Sequence, residues 1–295
     1  MEDEDFESLP AHVAPSVHMA AGALAGIAEH TLTYPLDSIK TRMQVLRPHP
    51  TAIYRGVLHA ASSISTQEGL GRLWRGVLSV VIGAGPAHAI YFAAYEQAKS
   101  ALLKDEAGKS PLRVGLAGGI ATALSDAVMT PFDVIKQRMQ MHGSSYRSVL
   151  DCAMTTFRTE GLRAFYLSYP ATLLLNVPFH MTQFPVYEAM RRLVLLQSPL
   201  LDGSPIVHIA SGAVAGGTAA LLTTPIDVIK TTLQTTNTQA HVAVRNTADA
   251  IGLVFKEHGF KGFFRGAVPR MLTYVPSTAI CWSVYEYFKQ SFVEI

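Results

Sequence analysis

Runs of apolar residues with few or no charges recur along the chain: Val17 to Ala28, Val77 to Tyr95, Val114 to Ser125, Tyr166 to Tyr187, Ile206 to Ile226 and Met271 to Tyr285. The longest approach the ~20 residues that a helix needs to cross a bilayer, and the shorter ones continue through a proline into a charged segment. The pattern predicts six membrane spans that are kinked rather than straight, because an interior proline removes a helical hydrogen bond. The intervening polar stretches alternate in character. Those between spans one and two, three and four, and five and six are long and hold Arg47, Arg55, Arg72, Arg75, Arg147, Arg158, Arg163, Arg245, Lys256, Lys261 and Arg265. The opposite side holds only Lys99, Lys104, Lys109, Arg191, Arg192 and Lys289, together with an acidic start. The excess of positive charge puts the long stretches on the negative-potential side of the membrane.

Composition agrees. Of 295 residues, 49% are hydrophobic and 16% charged, against about 25% charged in a soluble domain, and the mean hydropathy is +0.23. A net charge of +2 excludes the basic excess of a nucleic-acid binder, and the composition is not that of a disordered chain. Cys152 and Cys281 lie far apart, outside any CxxC or Cys/His cluster, so neither a disulfide framework nor a thiolate zinc site is expected. The opening MEDEDFES is acidic where a secretory signal or transit peptide would be basic, so targeting information is expected to be internal.

The chain repeats itself three times. Pro35-Leu-Asp37-Ser-Ile-Lys40 recurs as Pro131-Phe-Asp133-Val-Ile-Lys136 and Pro225-Ile-Asp227-Val-Ile-Lys230, the prolines 96 and then 94 residues apart. A glycine follows at 69, 161 and 259, ahead of Trp74-Arg-Gly76, Tyr166-Leu-Ser168 and Phe264-Arg-Gly266, and 26 residues after each glycine stands Tyr95-Glu96, Tyr187-Glu188 or Tyr285-Glu286. Those dipeptides extend to Lys99, Arg191 and Lys289, so every span ends in an acid and a base. Small residues repeat too, at Gly22/Gly26, Gly118/Thr122 and Gly212/Gly216, and are expected to let helices approach closely. The division is an acidic tail at 1–16 and repeats at 17–103, 112–194 and 205–295, integrated into one transmembrane domain.

These motifs resemble the mitochondrial carrier family, whose signature is Px[DE]xx[KR] on odd helices and [FY][DE]xx[KR] on even ones. The resemblance covers residues 17 to 291, with departures at Leu167-Ser168 and His258. It implies an all-α membrane protein of six kinked transmembrane helices in a threefold pseudo-symmetric bundle, with three short matrix-side helices. Pro35, Pro131 and Pro225 would swing the odd helices toward a common axis. Charges at membrane depth survive by pairing or by facing the bundle interior, and the resemblance pairs Asp37 with Lys136, Asp133 with Lys230 and Asp227 with Lys40, braced by Gln44, Gln140 and Gln234, as a matrix gate. Glu96, Lys99, Glu188, Arg191, Glu286 and Lys289 would form the cytoplasmic gate, only one network being complete at a time. It further implies residence in the inner membrane with both termini toward the intermembrane space, a monomer, and cardiolipin at the short helices.

An asymmetric cargo is expected to be read where the repeats differ. Five residues before the proline, roughly 7 Å along a helix axis, stand His30, Asp126 and Ala220. Met129 follows Asp126 by three residues on the same helical face, and Glu29 adjoins His30. Even spans contribute His88, His180 and Thr278 at one level and Gly83, Leu175 and Thr273 at another, with Asn176 and Tyr274 adjoining. Imidazole, carboxylate and thioether suit a first-row divalent metal, whereas carriers of anions need cations here, and Arg270 is the one cation within the upper spans. The runs Gly26-Ile-Ala-Glu29-His30, Gly83-Ala-Gly85-Pro-Ala-His88-Ala-Ile-Tyr-Phe92 and Asp126-Ala-Val-Met129, with His208 opening helix five, resemble the iron-carrying members of the family. That resemblance implies His30, His88 and His208 in an iron path, with Met129 and Asn176 near it. The expected activity is import of ferrous iron or a small iron chelate, without nucleic acid, cofactor or ATP. The alternatives are another divalent metal, a metal chelate, or a neutral or cationic metabolite anchored by Arg270 and Asp126. No HExxH or Glu-x-x-His pair suggests a metalloenzyme.

Overall fold

A computed structural model describes residues 15–46, 53–102, 111–198, 204–239, 244 and 246–293, the side chains at 15–26, 102, 111–115, 205, 236–239 and 281–293 excepted. Every regular element among the described residues is helical. Six are long: α1 (Pro15–Gln44), α3 (Val77–Leu102), α4 (Pro111–Gln140), α7 (Tyr169–Gln197), α8 (Pro205–Gln239) and α10 (Ala267–Val293). They are the six expected spans, and each odd one runs through its proline into the charged motif within a single helix. The fourth begins at Tyr169 rather than Tyr166, because a short turn, α6 (Arg163–Tyr166), intervenes. Among the described residues, two stretches, Leu70–Ala101 and Ile206–Thr235, are long and apolar enough to cross a membrane by composition alone.

Each repeat is a long helix, a short helix and a second long helix. The short ones are α2 (Val57–Gln67), α5 (Val149–Glu160) and α9 (Thr247–His258). Ser148 and Asn246 cap the last two, accepting from Asp151 N at 3.1 Å and Asp249 N at 2.8 Å, which satisfies donors that a helix start leaves open. Gly69, Gly161 and Gly259 then reverse the chain at positive φ, a conformation costly to any residue with a Cβ.

The long helices stand in a ring, α1 touching α3 and α10, α3 touching α4, α4 touching α7, α7 touching α8, and α8 touching α10. The tightly packed core is not central. It consists of small clusters where each short helix folds against its odd helix: Ile39, Ala60, Ile64 and Leu73 in the first repeat, Val134, Ile135, Met139, Cys152 and Phe165 in the second, Ile229, Leu233, Val244 and Ala250 in the third. Elsewhere large apolar side chains such as Leu32, Ile82, Leu116, Leu124, Val177 and Leu222 are exposed on the outside. So much apolar surface belongs against lipid rather than water.

Two glycines show how closely helices approach. A Cβ at Gly83 would lie 2.6 Å from the Phe132 ring, and one at Gly216 would lie 2.5 Å from the Tyr274 ring. The expectation for the repeated small residues therefore holds for Gly212 and Gly216, which face Thr278 and Tyr274 across α8 and α10. It does not hold for Gly118, whose missing Cβ faces open space; Ala117 and Ala121 make the buried contacts of α4 instead. The side chains around Gly22 and Gly26 lie outside the described residues.

Candidate functional site: a cavity above a ring of ion pairs

The three odd helices converge on a closed ring. Lys136 Nζ lies 2.6 Å from Asp37 Oδ2, Lys40 Nζ 2.8 Å from Asp227 Oδ2, and Lys230 Nζ 3.2 Å from Asp133 Oδ2. These are the three pairings expected from the sequence, each joining different repeats. Two are buttressed as expected: Gln44 Nε2 donates to Asp227 Oδ2 at 2.8 Å, and Gln140 Nε2 donates to Asp37 Oδ2 at 3.3 Å. Threonines three residues before the motif glutamines complete the arrangement, Thr231 donating to Gln44 Oε1 and Thr41 to Gln140 Oε1, both at 2.8 Å.

The third brace is a correction. Gln234 Nε2 donates to Ser168 Oγ at 3.0 Å instead of to an ion pair. The reason lies in two departures from threefold repetition. Where Gly76 and Gly266 adopt positive φ, Ser168 stays in the right-handed region at φ −88° and offers a hydroxyl. Where Thr41 and Thr231 donate, the second repeat has Gln137, and Gln137 Oε1 and Gln234 Oε1 are both buried without a partner.

A cavity of about 280 Å³ lies against this ring, lined by Glu29, His30, Thr33, Tyr34, Asp37, Lys40, Val80, Lys136, Leu175, Asp227, Arg270, Thr273, Tyr274 and Ser277. Tyr34 sits at its base, its ring 5.6 Å from Lys136 Nζ and its hydroxyl donating to Arg75 O at 3.0 Å. Gly76 allows that contact, since a Cβ there would lie 2.8 Å from the Tyr34 hydroxyl. Ser277 donates to the Glu29 carboxylate, joining α10 to α1.

The comparisons with known proteins decide the family. The sequence model of the family described as "Mitochondrial carrier protein" matches three times, over residues 11–106, 108–198 and 202–295. Among relatives, Mitoferrin-1 of Danio rerio is 48% identical, covering 97% of this chain and 88% of its own length. Mitoferrin-2 of Homo sapiens is 46% identical, covering 97% and 79%. The Mitochondrial RNA-splicing protein MRS4 of Saccharomyces cerevisiae is 40% identical, covering 97% and 94%.

This chain belongs to the mitochondrial carrier family. It is therefore a transporter of the mitochondrial inner membrane.

The carrier brings only part of the sequence-selected set to the cavity wall. His30 is there, with Glu29, Arg270, Tyr274, and the Leu175 and Thr273 counterparts of Gly83. Gly83 itself is taken by packing against Phe132. Asp126 is not on this wall; Asn176 Nδ2 donates to its Oδ2 at 2.5 Å, tying α4 to α7, and the neighbouring Met129 is half-buried. His88 is exposed, its Nδ1 2.8 Å from the Ala84 carbonyl one turn back. His180 is exposed and stacked on Phe184. His208 is buried off the cavity, its Nδ1 2.6 Å from the Tyr187 hydroxyl. Of the expected cytoplasmic gate, Glu188 pairs within its own helix with Arg192, Nε to Oε1 2.9 Å. Lys99 lies 5.9 Å over the Tyr95 ring, while the Glu286 and Lys289 side chains lie outside the described residues. Sequence reading missed Thr41, Thr231, Tyr34 and Ser277; the threonines were discoverable as a further position in register with the repeat.

Proposed function

We propose that this carrier imports ferrous iron from the intermembrane space into the matrix by alternating access between two salt-bridge gates. The observation that carries the reading is the placement of His30 and Glu29 on the wall of a cavity closed at one end by the complete ring. In that arrangement the matrix gate is shut and the cavity accepts cargo from the other face. The names of two relatives, Mitoferrin-1 and Mitoferrin-2, point to iron as the cargo.

One imidazole and one carboxylate suit a transient metal contact. Few protein ligands, with water or a small chelator completing the shell, release what they bind, whereas a full cage would trap it. The termini face the intermembrane space, the carrier works as a monomer, and His88, His180 and His208 with Asp126, Met129 and Asn176 flank the path.

The test is ferrous-iron uptake into liposomes containing the purified carrier and a lumenal metal-sensitive dye. His30→Ala is expected to lower uptake about tenfold or more, the equivalent of ~1.4 kcal/mol, while thermal unfolding stays near wild type. Undiminished uptake by the variant would remove His30 from the path.

A further inference from the structure

We propose that Arg270 forms an anion subsite in the cavity, and that the metal crosses as a complex with a carboxylate ligand rather than as the bare ion. The proposal takes only the identity of the metal from the iron reading; the subsite rests on the cavity itself.

Three carboxylates, Glu29, Asp37 and Asp227, face three cations, Lys40, Lys136 and Arg270. The lining is neutral as built, and most of its charge is already spoken for. Asp37 is held by Lys136 and Gln140. Asp227 Oδ2 accepts from both Lys40 and Gln44 at 2.8 Å. Arg270 pairs with the same Asp227 oxygen only at longer range. Its Nη1 stands 3.6 Å from that crowded oxygen, beyond hydrogen-bonding distance, and has no hydrogen-bond partner although the side chain is only 6% exposed. A buried donor without an acceptor is costly, and a guanidinium fork matches the two oxygens of a carboxylate.

Arg270 is not part of the threefold scaffold. Its register equivalents are Val80 and Thr172, so the ring closes at two of three positions without a cation at this level. Two residues with metal-binding chemistry lie on the same wall: His30, and Glu29 tied to Ser277. The cavity thus offers a metal contact from α1 and an anion contact from α10. Its volume of about 280 Å³ corresponds to about nine waters at ~30 Å³ each, more than the shell of a six-coordinate ion.

Charge decides between the two cargos. A bare dication entering a neutral lining leaves two uncompensated charges at membrane depth, where such charges need partners. A dicarboxylate ligand cancels them, a tricarboxylate leaves one negative charge, and either supplies an acceptor to the unpartnered Arg270 Nη1. A neutral or singly negative complex is not drawn in by an inside-negative potential.

Citrate serves as the probe. The purified full-length carrier in detergent is expected to unfold at a higher temperature with metal-free citrate than with chloride at equal ionic strength. Arg270→Gln is expected to abolish that shift, and Arg270→Lys, which keeps the charge beside Asp227 but loses the fork, to reduce it. No shift in wild type, or an undiminished shift in either variant, overturns the subsite. In proteoliposomes, radiolabelled citrate entering one for one with ferrous iron, at a rate not raised by an imposed inside-negative potential, supports the complex as cargo. Iron entering while citrate stays outside, faster with the potential, overturns it. A citrate shift in a wild type that moves no iron defeats the iron reading and leaves the subsite standing.

Discussion

Trp74 illustrates what a single side chain does in this carrier. Pro35 has no N–H to donate to the carbonyl four residues earlier, that of Thr31, and Trp74 Nε1 donates to that carbonyl at 2.9 Å. The aromatic after the first short helix therefore repairs the damage done by the first proline. Tyr166 and Phe264 occupy its register in the other repeats, and Phe264 has no such donor. Trp74→Phe is expected to destabilise by about 1 kcal/mol, the usual net worth of one hydrogen bond, seen as a lower unfolding temperature. Glu68 is a second case. Burial would raise its pKa, but hydrogen bonds and charge from Arg42 and His142 outweigh that and hold the carboxyl below its ordinary range. A lowered folded-state pKa gives stability that is complete above the unfolded value of about 4.3 and is lost as pH falls through the folded one. Acid titration of the unfolding temperature should show a loss below pH ~4 that Glu68→Gln lacks. Cys152, by contrast, is pushed to about 11 by burial, which Arg138 and Thr156 only partly offset. It is an inert core thiol, as its isolation in the sequence suggested.

At the scale of elements, the three seams between repeats are not equal. Arg75 donates to Ser144 O at 2.7 Å and to Tyr146 O, so the first repeat grips the end of the second. Arg265 donates to Met43 O at 3.2 Å, and His258 Nε2 to Leu46 O at 2.7 Å, so the third repeat grips the first. The equivalent residue in the second repeat is Leu167, which packs into the apolar cluster beneath α8 instead. That seam also has the longest ion pair and the two orphaned glutamine oxygens. Gln137→Thr restores the residue type that donates in the other repeats. It is expected to raise stability by about 1 kcal/mol, measured as a rise in unfolding temperature of a few degrees. An unchanged or lower temperature would show that the glutamines are satisfied by ordered water.

For the whole molecule, the ring and the cavity are consequences of one arrangement. Buried ion pairs add little net stability, and three of them in a ring fit the proposed closure that can be made and broken. Lys136→Ala leaves Asp37 uncompensated beside the cavity and is expected to disturb transport of any cargo. The exchange Asp37→Lys with Lys136→Asp keeps the pair and should recover a large part of the uptake lost in either single variant. Recovery no better than the singles, in the same proteoliposome assay, would argue against a pairwise gate.

The sequence by itself determined the architecture. A threefold repeat of proline, acid and base favours neutralising its buried charges by pairing between repeats, and the resemblance that its motifs carry implied the six-helix bundle and which acid meets which base. It also singled out His30, because a residue five positions before the proline sits just above the ring in any such helix. What it left undecided depends on which side chain reaches a shared partner first. Asp126 and Gly83 have the right register for the cavity, yet Asn176 holds one and Phe132 covers the other. Gln234 carries the bracing residue, yet a serine in place of glycine, 66 residues away, takes its donor. Only the tertiary structure settled these competitions, because their distances depend on neighbours from another repeat, and only it revealed that Arg270 shares Asp227 with Lys40 and Gln44.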